Sequence, residues 1–195
     1  MFASIVAEVN KHLESGEISR ADAQRVLDPS DFELLEGVVV PSHLYPLVAF
    51  ARLNELAFET VGGGRVEYLQ ELGAGSAVRL LDTKVYAQLN HARRTEVVEQ
   101  GDPYERFEAF GRDLELITRV FSCLANFGKT TCEPDPDHGL RWMITDEMPI
   151  EFTDLLVWRM IGFRNEVART HGHRDLWTWE RISPTVFRSR MTCDA

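Results

Sequence analysis

Apolar residues recur at helical spacing through the first two thirds of the chain and then switch to alternation. Phe2, Ile5, Val6, Val9 and Leu13 fall on one stripe, which predicts an amphipathic helix over residues 2–15, ended by Gly16. Ser19 is placed to cap a second short helix through Leu27, with Asp22 at the capping-box position. Asp28-Pro29-Ser30-Asp31 reads as a turn, after which Phe32, Leu34 and Leu35 lead into an extended stretch, Val38-Val39-Val40-Pro41. Pro46 suits the first turn of a helix that runs to about Thr60, with Leu47, Phe50, Leu53, Leu56 and Ala57 as its stripe. Gly62-Gly63-Gly64 stops it. A longer helical region is predicted from Arg65 to about Glu99, with Val66, Leu69, Leu72, Ala77, Leu80 and Leu81 as its first apolar set. Gly73 and Gly75 each cost about 1 kcal/mol there relative to Ala, so they allow close packing or mark a kink.

Asp102-Pro103-Tyr104-Glu105 is the clearest helix start, with Asp as cap, Pro at the first position and Glu at the third. The helix it opens runs to Phe127 and buries Phe107, Phe110, Leu114, Ile117, Phe121 and Leu124. After Gly128 the period falls to two. Strands are predicted at 129–133 and 140–145, joined by the turn Pro134–Gly139, with Leu140, Trp142 and Ile144 on one face. A helix over 151–171 follows, then strands at 175–182 and 185–192 around Ser183-Pro184. Early helices and late strands give the α+β class: N-terminal helices packed with a four-stranded antiparallel sheet in hairpin–helix–hairpin order.

Composition narrows the classes. At 195 residues, with 44% apolar and 27% charged residues, the chain has the size and make-up of one globular domain, 1–195. Disordered, fibrous and disulfide-miniprotein classes are excluded. The net charge of −10 argues against a nucleic-acid partner, which needs Lys and Arg to neutralise phosphates. The charge is uneven: residues 159–190 hold seven arginines against three acids, leaving −14 on the rest. Cys123, Cys132 and Cys193 have unrelated spacings and imply no disulfide framework. With neither a leader-like start nor an apolar run of about 20 residues, we expect a cytoplasmic protein without a membrane span.

Tyr45-Pro46 opening a helix, Gly62-Gly63-Gly64, Tyr68-Leu69-Gln70-Glu71-Leu72-Gly73, Asn126-Phe127-Gly128 and the closing hairpin–helix–hairpin carry a family resemblance. The chain resembles the superfamily of vinyl-reductase-like and haem–nitric-oxide-binding-like domains, which also contains the TRAPP small subunits. It looks closest to an uncharacterised bacterial group first noticed as a paralogous family in myxobacteria. The resemblance covers residues 28–193 and leaves 1–27 as an N-terminal helical extension. It implies a small-molecule sensor or interaction module, often dimeric. Haem-binding relatives need an axial His and a Tyr-x-Ser-x-Arg clamp; that motif does not occur here, and His91 is the only axial candidate by position. Vinyl-reductase-type domains often carry a Cys near the last hairpin, where this chain reads Thr170 to Trp177 without one. No cofactor is assigned on this basis.

Other candidate chemistry is weighed against plainer roles. His171-x-His173 with Cys132 or His138 has weak metal-site spacing and reads better as a loop pair, so no metal site is expected. Cys123 suits a buried small hydrophobe, or a modified thiol. Gly73-Ala74-Gly75-Ser76-Ala77 lies in helical text, so it is not a nucleophile elbow. Gly62–Gly64 follows a helix and lacks a P-loop ending. Glu96, Glu99, Asp102, Glu105 and Glu108 read as solvated helix ends. No acid–base or nucleophile constellation emerges, so we expect no enzyme.

Two functions remain. The first is a protein-interaction or sensor module that dimerises or docks a partner through a Trp/Arg-rich C-terminal sheet, with Trp142, Trp177, Trp179, Arg181, Arg188 and Arg190 as the interface. The second is a helix–sheet pocket for an apolar small molecule or lipid, lined by Phe107, Phe110, Phe121, Cys123 and Met160.

Overall fold

The computed structural model describes residues 2–40, 43–82, 102–124, 127–173 and 177–192; the side chains of residues 120 and 122–124 are outside this description. His91, Cys123, Cys193, Glu96 and Glu99 therefore lie beyond it, by residue or by side chain. Among the described residues there are seven helices: α1 Phe2–Ser15, α2 Arg20–Val26, α3 Pro29–Glu36, α4 Leu47–Thr60, α5 Val66–Asp82, α6 Pro103–Leu124 and α7 Asp154–Thr170. The strands are β1 Lys129–Pro134, β2 Trp142–Glu147, β3 Trp177–Ser183 and β4 Val186–Met191. The sheet order is β1-β2-β4-β3, antiparallel throughout. The class is α+β, as the sequence pattern predicts.

Local signals act as expected at several ends. The Ser19 hydroxyl accepts from the Asp22 amide at 3.1 Å. Asp102 Oδ1 accepts from the Tyr104 and Glu105 amides, and Glu105 Oε2 accepts from the Asp102 amide, closing a capping box. The predicted turn at Asp28–Asp31 is instead the start of α3. Asp28 caps it, Pro29 takes the first position, and the Asp31 carboxylate accepts from the Asp28 amide. Capping chemistry and turn chemistry use the same residues, and the apolar Phe32 and Leu35 decide for a helix. The extended stretch predicted at Val38–Val40 forms no strand.

Two apolar clusters form. One joins α1 to α4 through Ile5, Val9, Leu53 and Leu56. The other joins α5, α6, α7 and the inner face of the sheet through Leu81, Phe110, Leu156, Trp177 and Phe187. Helix α7 lies between them. Its crossing with α5 is close because glycines face each other's backbone. A Cβ on Gly73 would strike the Arg159 carbonyl, and one on Gly162 would strike Gln70. Gly73 therefore serves close packing; Gly75 meets only the Arg79 side chain.

Candidate functional site

Helix α7 buries two guanidiniums, five residues apart. Arg164 turns to the sheet: it donates to both carboxylate oxygens of Asp146, at 3.0 and 2.8 Å, and to the Ser189 hydroxyl at 2.7 Å. Thr130 also donates to Asp146, at 2.7 Å. Arg159 turns to the helices: it donates to Asn54 Oδ1 at 2.5 Å, Ser4 Oγ at 3.0 Å and Ser76 Oγ at 3.4 Å. Its guanidinium carbon lies 5.3 Å from the Phe50 ring centre. Arg159 is 2% exposed, and its Nε has no hydrogen-bond partner. Burial, with Arg79 adding to it, pushes the Arg159 guanidinium down to about 10, so it remains charged at neutral pH.

Both arginines line a cavity of about 120 Å³ between α6, α7 and the sheet. Leu114, Ile117 and Phe121 of α6, Leu156, Met160 and Phe163 of α7, and Ile144 of β2 make most of its wall. Of the predicted pocket residues, Phe121 and Met160 are wall residues. Phe107 and Phe110 are packed elsewhere in the core: Phe107 stacks on Trp142 at 4.8 Å, and Phe110 meets His171, His173 and Trp177. They lie nearer the start of α6, so the helical stripe that suggested them passes the cavity only in its later half. Cys123 is among the side chains not described.

The predicted interface is divided. Trp142 and Trp177 are 7% and 2% exposed, so both are core residues and neither reaches a docking surface. The sheet's inner face carries them because α6 and α7 cover it; Trp142 Nε1 donates to the Phe107 carbonyl at 3.1 Å. Trp179 is half-buried against Trp158 and Phe187. Arg181 pairs with Asp154, and Arg190 with Asp135 and Asp137. Arg188 is half-buried opposite Glu180 and Thr145. The local positive charge is thus largely spent inside the molecule. Exposed apolar side chains occur at both ends, at Val38 and Leu44 and also at Ile150 and Ile182 beside the sheet.

The weighed metal quartet does not assemble. His171 contacts the Val167 carbonyl and Asp113 through its two ring nitrogens, at 2.8 and 2.6 Å, while His138 contacts Asp135 at 3.0 Å. Burial pushes the Cys132 thiol up to about 12. Among the described residues the one ligand-rich cluster is Asp135, Asp137 and His138, and Arg190 already pairs with both of its carboxylates.

Sequence reasoning missed Arg159, although a signal existed. Leu156, Arg159, Phe163 and Val167 follow helical spacing, so a cation interrupts the apolar stripe of α7.

The described residues do not fit a haem. No His, Cys or Tyr among them lines the cavity, and Arg164 is held by Asp146 and Ser189. The volume of about 120 Å³ is also well below the roughly 300 Å³ at which cofactor-sized pockets begin.

Among the described residues no helix is long and apolar enough to cross a membrane. No protein-family model matches the chain, and no curated protein matches it. Solved structures do. The Fe(II) unliganded H-NOX protein from K. algicida aligns with a TM-score of 0.62 at 11% identity, over 100% of this chain and 95% of that one. A point variant of it aligns with a TM-score of 0.61 at 12% identity, over the same shares. A structure described as giving insight into H-NOX activation aligns with a TM-score of 0.54 at 8% identity, over 97% of this chain and 92% of that one. Nothing found supports the vinyl-reductase, TRAPP or myxobacterial parts of the resemblance. What the neighbours establish is the fold, shared along nearly the whole chain with the haem–nitric-oxide-binding domains.

Proposed function

We propose that this chain is a non-enzymatic ligand-binding domain of the sensor type, holding a small apolar molecule between α6, α7 and the sheet. The observation that carries this reading is the cavity itself: about 120 Å³, walled by Leu, Ile, Phe and Met at the junction of helix and sheet. A dry apolar cavity of about 150 Å³ accepts benzene in another protein, so this one suits a body of that order. The likeness to H-NOX proteins supports a sensing role, because the corresponding fold there belongs to proteins described by their ligation state. The ion-paired arginines of the C-terminal sheet give no comparable support to partner docking.

The test is a thermal melt with toluene. A ligand that binds only the folded state raises the midpoint in proportion to its occupancy. We expect a rise for the wild type and none for Leu156→Phe, which fills part of the cavity. A wild-type midpoint that does not respond to saturating toluene overturns the reading.

A further inference from the structure

Among the described residues, the buried ionisable side chains are paired, with one exception. Asp31 pairs with Arg52, Asp135 with Arg190 and His138, and Asp146 with Arg164. His12 contacts Glu8 and Glu17, and His171 contacts Asp113. Arg159 has only Asn54, Ser4 and Ser76, all neutral. A like charge, Arg79, shares Ser76 with it, at 3.4 Å. Glu8, which acts on it from a distance, is already engaged by His12. Burying one cation costs several kcal/mol, and neutral hydrogen bonds recover only part of that. Arg159 also lines the cavity, together with the Phe50 ring it stacks on, and its Nε–H is buried with no acceptor.

We propose that the cavity takes a small apolar carboxylate, its hydrocarbon body against Ile117, Phe121 and Leu156 and its anionic head beside the uncompensated cation of Arg159. This rests on the cavity being the ligand site. A carboxylate fits better than a phosphate: one uncompensated cation matches a singly charged head, whereas phosphate brings more charge and more acceptors into a mostly apolar wall. The head supplies the counter-charge that the chain withholds. Asn54 stands where an isosteric Asp would have supplied it from within, as Asp146 does for Arg164.

The experiment compares benzoate, benzyl alcohol and toluene by calorimetric titration and thermal melts, on wild type, Asn54→Asp and Arg159→Met. Benzoate should bind the wild type at least tenfold more tightly than benzyl alcohol does. Its affinity should fall at least tenfold in both variants, while toluene binds wild type and Asn54→Asp alike. Asn54→Asp keeps the shape and the bond to Arg159, at the loss of the one that Asn54 Nδ2 donates to the Phe50 carbonyl, so it carries the test if Arg159→Met fails to fold; the wild-type preference for benzoate needs neither variant. Toluene binding with benzoate no tighter than benzyl alcohol overturns the carboxylate inference and leaves the apolar cavity standing. Benzoate binding that both variants retain overturns it too. No response to any of the three ligands overturns both.

Discussion

The sheet side and the helical side of α7 bury the same functional group and treat it oppositely. On the sheet side, Arg164 meets Asp146 with two hydrogen bonds, and Thr130 and Ser189 complete the set. On the helical side, Arg159 meets an amide and two hydroxyls. The first arrangement is closed: every charge has its opposite within the chain. The second is open by one negative charge. A closed pair of this kind holds a sheet and a helix in register. An open one beside a cavity is suited to respond to something that arrives.

The largest effect should come from breaking the closed site. Asp146→Asn keeps the shape but leaves Arg164 as a buried, uncompensated cation, and should cost about 3–5 kcal/mol in urea denaturation. A loss below about 1 kcal/mol would mean that the pair is not held as described. Arg159→Met should cost far less, within about 1 kcal/mol of neutral, because relief of the buried charge offsets the stranded acceptors of Asn54, Ser4 and Ser76. If it matched Asp146→Asn, the contrast between the two sides of α7 would be gone. Smallest is a third arginine, half-exposed Arg190. Asp135→Asn removes its buried partner and should cost no more than about 1 kcal/mol at neutral pH.

The Asp135 prediction also has a pH sign. Burial alone would raise the Asp135 carboxyl, but the Asp137 amide, His138 and Arg190 outweigh it and hold the carboxyl below the usual range. Its contribution is therefore present above the unfolded value of about 3.9 and disappears as pH falls through the folded one. The stability gap between wild type and Asp135→Asn should stay level down to about pH 4 and close below it. A gap that widens in acid would contradict this.

Much of the fold is legible in the sequence because it depends on near neighbours. The Asp102–Glu105 box, the Ser19 cap and the alternation after Gly128 act within a few residues, and the elements formed where they point. Asp28–Asp31 was ambiguous because Asp and Pro serve turns and helix starts alike. The candidate site is less legible. Phe121 and Met160 emerge from helical periodicity, but Phe107 and Phe110 share that periodicity and lie elsewhere. Trp142 and Trp177 read as surface residues from alternation alone, which says which residues share a face, not which face is covered.

The sequence by itself determined the order and type of the elements, the α+β class and the closing antiparallel hairpins, since these follow from period, caps and turns. Tertiary structure decided which arginines are neutralised. Asn54, Ser4 and Ser76 lie 105, 155 and 83 positions from Arg159. No local pattern reports contacts at that separation. They arise because Gly73 and Gly162 let α5 and α7 touch, which brings the Arg159 guanidinium to three other helices while the same residue lines an apolar cavity.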